Sequence, residues 1–168
     1  TIAAARDLWK RVQRANLMIK VPATEAGFPA IETLIGDGIN VNATLIFSLD
    51  AYRATAEAFI AGLEQRARAG EDLSHVAGVA SFFVSRVDSL VDQMLEEKIA
   101  AGETGLEGLN GKAAIANAKL AYEIYAEMFG GARFAKLEGA QKQRVLWAST
   151  STKNPSYRDV IYVEELIG

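Results

Sequence analysis

Cysteine is absent from this chain of 168 residues, which excludes disulfides and thiolate metal sites. Histidine occurs once, as His75, in a polar stretch that reads as a solvated loop. No His-rich or carboxylate cluster has metal-ligand spacing, so no metal is expected. No apolar run approaches the roughly 18 residues that a membrane span needs. The opening residues mix Arg6, Asp7, Lys10, Arg11 and Arg14 with apolar residues at helical spacing, which is not a signal peptide. These absences point to the cytoplasm. A basic excess is also lacking: 18 Lys and Arg face 21 Asp and Glu, for a net charge of −3. That argues against a nucleic-acid partner, and an anionic ligand would need a local basic pocket rather than a global field. No G-x-G-x-x-G follows the first apolar run, so a dinucleotide fold gets no support.

What is present suits one soluble domain with a real core. Hydrophobic residues make up 50% and charged residues 23%, too apolar for disorder. Residue 1 is Thr, and Ala3, Ala4, Leu8 and Val12 already follow a helical period. The expectation is an excised piece of a larger protein.

Periodicity predicts alternating helices and strands. A helix over 2–14 precedes a short buried strand over 17–21, closed by Pro22. Thr24 is the expected cap of a helix with Ile31, Leu34 and Ile35 on one face, ended by Gly36. A strand over 39–47 follows, then Ser48 capping a long helix whose face is Tyr52, Ala56, Phe59 and Leu63. After a strand over 77–84, Val87, Val91 and Met94 mark a further helix. A loop with Gly102, Gly105, Gly108 and Gly111 leads to a helix capped by Asn110, with Ile115, Ala118, Tyr122, Tyr125 and Phe129 in one stripe. The last strand spans 143–149, and Asn154-Pro155 is expected to start a final helix carrying Val160, Val163 and Ile167. The strands are apolar runs rather than clean alternations, which fits a parallel sheet covered on both faces. Four βα units are either an open doubly wound domain or half of an eight-stranded barrel, which needs roughly 200 residues or more.

Lys20 stands in the middle of the first apolar strand. It reads either as an edge-strand lysine that snorkels to solvent or as an imine-forming nucleophile, whose amine an apolar strand would desolvate. In the second strand Asn40, Asn42 and Thr44 alternate with apolar residues, so period two puts all three on one face. They form either a network of core hydrogen bonds or a polar wall for a sugar hydroxyl and a catalytic water. Ser81 lies in the third strand and Arg86 just past its end, where a guanidinium can bind phosphate in a fork or merely pair at the surface. The segment Ser149-Thr150-Ser151-Thr152-Lys153-Asn154-Pro155 offers hydroxyls, a lysine and the amides expected at a helix start. It reads as a polar loop or as a phosphate nest. Glu96-Glu97-Lys98 and Glu164-Glu165 read as solvated helix faces, and the tyrosine stripe as core.

Four segments together resemble transaldolases. Asn16 to Thr24 resembles their Schiff-base lysine strand, and Gly38 to Ser48 the strand after it. Ser81 to Arg86 resembles the next strand, and Ala148 to Pro155 the corresponding loop of the bacterial branch, some members of which are fused to a glucose-6-phosphate isomerase. The resemblance runs through essentially the whole chain. It implies a (β/α)8 TIM barrel of which about strands four to seven are present, with Lys20 on the fourth. It implies that Lys20 forms the imine, Thr44 helps hold the catalytic water, Asn42 binds a substrate hydroxyl, Ser81 contacts the bound dihydroxyacetone unit and Arg86 binds phosphate. The family's second phosphate arginine has no clear counterpart, since this loop has Ser151 and Lys153, with Ser149 beside them. The family's aspartate on strand one and glutamate on strand three would fall before Thr1, and strand eight after Gly168.

The implied reaction is transfer of a dihydroxyacetone unit from a ketose phosphate to an aldose phosphate, without metal or organic cofactor. A lyase similar to fructose-6-phosphate aldolase is the close rival, and a non-catalytic sugar-phosphate binder the more distant one. The long segment from Gly102 to Gln141 favours the larger transaldolases. The expected partners are sugar phosphates and the rest of the barrel, or a second copy of the chain, because a half barrel leaves two sheet edges unpaired.

Overall fold

The computed structural model describes residues 1–167. Its elements are α1 (Ile2–Val12), β1 (Ile19–Pro22), α2 (Phe28–Gly36), β2 (Val41–Ile46), α3 (Leu49–Arg68), β3 (Gly78–Phe83), α4 (Ser85–Ala100), α5 (Ala113–Gly130), α6 (Ala132–Ala135), β4 (Arg144–Ala148) and α7 (Ile161–Leu166). The four expected strands form within two residues of their anticipated ends. All three pairings are parallel, and the sheet order is β1-β2-β3-β4.

That order decides between the two architectures left open by the sequence. Crossovers between parallel strands are right-handed, so a strictly sequential order stacks every helix on the same side. A doubly wound sheet would reverse its order at a switch point, and this sheet has none. The expectation of a sheet covered by helices on both faces is therefore corrected: among the described residues helices cover one face only, and on the other Thr44, Val79 and Ser81 of the central strands are buried while the edge strands are exposed. Val21, Val41, Ala43, Ala80 and Phe82 point under the helices and are buried. Gly78 points the same way because a Cβ there would come within 2.4 Å of the Phe59 ring. On the other face Lys20, Pro22, Arg144 and Leu146 are exposed. The arrangement is a mixed α/β segment consistent with a partial (β/α)8 barrel.

The core lies between sheet and helices. α3 contributes Tyr52, Ala56, Phe59, Ile60 and Leu63, all buried, and Ser48 Oγ accepts the Ala51 amide as the expected cap. Tyr52 meets Phe82 edge-on at 6.1 Å, and Phe82 meets Trp147 likewise at 6.0 Å.

α4 turns two carboxylates inward beside Val87 and Val91, the partly buried residues of its expected stripe. Its buried residues are Ser85, Asp88 and Asp92, while Met94 is 51% exposed and Leu90 61%. Asp88 Oδ1 accepts the Ala114 amide at 2.7 Å, and Asp92 Oδ1 accepts the Gly111 amide at 2.9 Å. These carboxylates sit where the positive end of α5 favours anions. They also explain why Asn110 is not the cap: α5 starts at Ala113, with Lys112 at the cap position making no side-chain bond. The neighbouring helix has taken the first-turn amide instead.

Three further expectations change. Thr24 Oγ1 accepts the Gly27 amide at 3.2 Å, but this closes a turn, and the regular helix begins only at Phe28 with Gly27 as its cap. In α5 the inward position goes to Ala121, leaving Tyr122 exposed beside the partly buried Tyr125. The final helix does not start at Asn154-Pro155; it starts at Ile161, and Tyr162 rather than Val160, Val163 or Ile167 faces inward. The reason is chemical: Tyr162 brings its hydroxyl 2.7 Å from Asp88 Oδ2, satisfying a buried acceptor that a valine could not.

Candidate functional site

The carboxyl ends of the strands collect most of the anticipated residues on the face that helices do not cover. Lys20 of β1 is in register with Asn42 of β2, so their side chains leave the sheet on the same side. Ser81 of β3 reaches back along that face and donates its hydroxyl to Asn42 Oδ1 at 2.7 Å. Lys20 is exposed on an edge strand, so the described residues do not bury it as an apolar strand was expected to. Its strand neighbours Ile19 and Val21 are buried because they point the other way.

The row Asn40, Asn42, Thr44 divides into three roles. Asn40 is a structural clip: its Nδ2 donates to Leu17 O at 3.3 Å and its Oδ1 accepts the Ala77 amide at 2.8 Å. It ties together the chain segments entering β1, β2 and β3. Asn42 takes the Ser81 hydroxyl. Thr44 is 5% exposed and its Oγ1 is buried without a hydrogen-bond partner. A buried hydroxyl in that state is costly unless a water or ligand satisfies it.

The backbone beside Thr44 is irregular. Pairing runs Ala43 to Ala80, then Ile46 to Phe82, so β2 carries one extra residue. Leu45 absorbs it with φ 60, a left-handed conformation that a leucine adopts only under constraint. Ser149, at the end of β4, is likewise left-handed with φ 57. Both departures fall at carboxyl ends of strands, the end that carries chemistry in parallel α/β folds. Period-two reasoning cannot reveal either one.

The anticipated phosphate residues stand at the same end of the sheet. Arg86, in the first turn of α4, lies over the Phe83 ring at 5.1 Å. Ser149 is half-buried, its Oγ 2.9 Å from Ser85 Oγ, and its carbonyl accepts the Ser85 amide at 2.9 Å. Ser151 Oγ accepts from Lys153 Nζ at 2.7 Å, and both residues are exposed. The helix amides expected to complete a nest are not there. Asn154 Oδ1 accepts the Ser156 amide in a turn instead, and α7 begins later.

Sequence reasoning missed Ser85, Asp88, Asp92, Tyr157 and Tyr162. Tyr157 donates to Asp92 Oδ2 at 2.6 Å, as Tyr162 does to Asp88. Burial first, and then these bonds, hold both phenols above their ordinary range. The available signal was the spacing of Ser85, Asp88 and Asp92, which share one helix face. His75 is solvent-exposed and 3.3 Å from Asp72, as a loop residue should be. Lys98 with Glu103 and Lys119 with Glu165 are exposed surface pairs. Among the described residues no group of three or more His, Asp or Glu gathers as a metal site, and no helix is long and apolar enough to cross a membrane.

Comparison with known proteins gives the family. Residues 1–168 match the transaldolase/fructose-6-phosphate aldolase family. The chain belongs to that family. Transaldolase 1 of Streptomyces avermitilis is 55% identical over 169 residues, covering 99% of this chain and 44% of that protein. The transaldolase of Mycolicibacterium smegmatis is also 55% identical, with 99% and 45% covered. That of Trichodesmium erythraeum is 51% identical over 175 residues, with 100% and 46% covered. This transaldolase-family chain therefore spans a little under half the length of these relatives.

Proposed function

We propose that this chain carries the imine-forming half of a transaldolase, corresponding to strands four to seven of the barrel. The observation that carries the reading is one shared face: Lys20 in register with Asn42, Asn42 bonded to Ser81, and Thr44 Oγ1 buried without a partner beside them. A nucleophilic amine, a pair of hydroxyl-binding groups and a buried hydroxyl able to hold a water are what imine formation and hydrolysis of a bound ketose require.

In this reading the neutral Lys20 amine adds to the carbonyl carbon of a ketose phosphate such as sedoheptulose 7-phosphate or fructose 6-phosphate. Loss of water leaves a protonated imine. The C3–C4 bond breaks, its electrons pass into the imine as an enamine, and the C4 hydroxyl proton leaves to a carboxylate supplied from outside this segment. The aldose phosphate departs, and dihydroxyacetone stays on Lys20. The enamine then attacks the aldehyde of an acceptor such as glyceraldehyde 3-phosphate or erythrose 4-phosphate, and hydrolysis through the water at Thr44 frees Lys20. This is a step of the non-oxidative pentose phosphate pathway, in the cytoplasm. Asn42 and Ser81 hold the three-carbon unit, while Arg86, Ser149, Ser151 and Lys153 serve the phosphate. Lys153 acts as a point charge rather than a fork. The outer edges of β1 and β4 take the remaining strands, or a second copy when the segment is alone.

Lys20 exposure fits this division of labour. The strands that would enclose and desolvate the lysine belong to the rest of the barrel. A lyase that releases dihydroxyacetone free is the rival, and the long connection between α4 and β4, with α5 and α6, favours the transferase. A non-catalytic binder would keep its affinity when Lys20 is replaced.

The test is imine trapping: fructose 6-phosphate, borohydride, and peptide mass spectrometry. The expected result is a dihydroxyacetone-derived mass on the Lys20 peptide, lost in Lys20→Met. Absence of an adduct both here and in a chain completed with the remaining segments of the Streptomyces avermitilis relative would sink the assignment.

A further inference from the structure

The segment after β4 is fastened to α4 at both ends. At its start, Ser149 shares two contacts with Ser85, the residue preceding Arg86. At its end, Tyr157 donates to Asp92, two turns further along the same helix. The second fastening has a built socket. Asp92 is 6% exposed, and its other oxygen is held by the Gly111 amide. The Tyr157 ring lies on Gly111 so closely that a Cβ there would fall 2.9 Å from Cζ, and Gly111 has φ 72. Only glycine serves at that position. Between the two fastenings lie Ser151 and Lys153, bonded to each other and exposed.

We propose that Tyr157, through Asp92 and the Gly111 socket, is a positioning residue that holds Ser151 and Lys153 against α4, the helix that carries Arg86, for a substrate phosphate. The inference rests on the sugar-phosphate reading above. An unpinned loop of this length would sample many conformations and would have to be ordered at each binding event. Fastened at both ends to the helix whose first turn carries Arg86, it presents one arrangement. The strained Ser149 is held by the same pair of anchors. Tyr157 touches no reacting atom in this account; it acts through the loop.

Tyr157→Phe removes one hydroxyl that donates to a carboxylate, a bond whose loss corresponds to about tenfold or more. Amide hydrogen exchange over residues 149–157 is expected to quicken about tenfold, with β1 to β3 unchanged. Affinity for fructose 6-phosphate should weaken about tenfold while affinity for dihydroxyacetone, which has no phosphate, stays the same. Asp92→Asn keeps one acceptor for the Gly111 amide and offers its NH2 to the Tyr157 oxygen, so its effects should fall between the unsubstituted chain and Tyr157→Phe. Unchanged loop exchange would overturn the proposal and leave the sugar-phosphate reading standing. Faster exchange with equal weakening of both ligands would overturn it as well, since that is general loosening. An unsubstituted chain that binds neither ligand, alone or completed with the remaining segments of the Streptomyces avermitilis relative, would overturn the sugar-phosphate reading, and the proposal with it.

Discussion

The two long helices that follow β2 and β3 pack against the molecule by opposite means. α3 buries an apolar stripe of Tyr52, Ala56, Phe59, Ile60 and Leu63. α4 buries Ser85, Asp88 and Asp92 and turns Leu90 and Met94 outward. Apolar burial is proportional to area and indifferent to direction. It is therefore readable from periodicity, and Tyr52, Ala56, Phe59 and Leu63 of the α3 face were anticipated, Ile60 being the addition. Carboxylate burial depends on donors elsewhere in the chain, here the amides of Gly111 and Ala114 and the hydroxyls of Tyr157 and Tyr162. No local pattern announces those donors, so α4 was read by Val87, Val91 and Met94 alone; the two valines are partly buried and Met94 is exposed.

The contrast can be broken most forcefully on the apolar side. Phe59→Ala empties a fully buried ring position between α3, Gly78 and Phe129, and should cost about 4 kcal/mol in denaturant unfolding. A loss below about 1 kcal/mol would mean that α3 is not seated on the sheet as described. On the polar side, Asp88→Ala strands a buried amide and the Tyr162 hydroxyl together, with an expected cost of about 3 kcal/mol. Asp88→Asn keeps acceptor capacity and should cost less than half of that. If both substitutions were equally mild, the carboxylate would not be the element that holds α4 to α5.

Paired tyrosines sharpen the comparison at a smaller scale. Tyr162 donates to Asp88, whereas the Tyr52 hydroxyl is fully buried with no partner, its phenol pushed well up from the usual range by burial. Tyr162→Phe should cost about 2 kcal/mol, and Tyr52→Phe should be neutral or stabilising, because it removes an unsatisfied group. Thermal unfolding of the two variants side by side checks this, and equal losses would erase the distinction. The smallest effect is expected at Leu90→Ser, within about 0.5 kcal/mol, as for other surface changes. A clearly larger loss would mean that the outer face of α4 is covered in solution.

Some of the candidate site was legible before any fold was known. Period two placed Asn42 on one strand face, and the structure puts Lys20 and Ser81 on that same face by register. The same rule grouped Asn40 with them, but Asn40 turned out to clip three strand entries together, because backbone donors and acceptors converge at the amino end of the sheet. The loop after β4 was legible as polar and illegible in shape. Asn154-Pro155 has the composition of a helix start, yet the bond between Tyr157 and Asp92, residues 65 apart in sequence, closes the segment as turns and delays α7.

The sequence by itself determined the alternation of strands and helices, the apolar face of α3, the Ser48 cap and the polarity of the strand ends. These depend on interactions within a few residues or on burial summed over a periodic stripe, both carried by local pattern. Only the tertiary structure decided that helices cover one face of the sheet only, that β2 bulges at Leu45, that two carboxylates of α4 turn inward, and that Tyr157 and Tyr162 meet them. Each of those needs groups distant in sequence to satisfy one another's hydrogen bonds or to set the order of the strands, and that partnership exists only once the chain has closed upon itself.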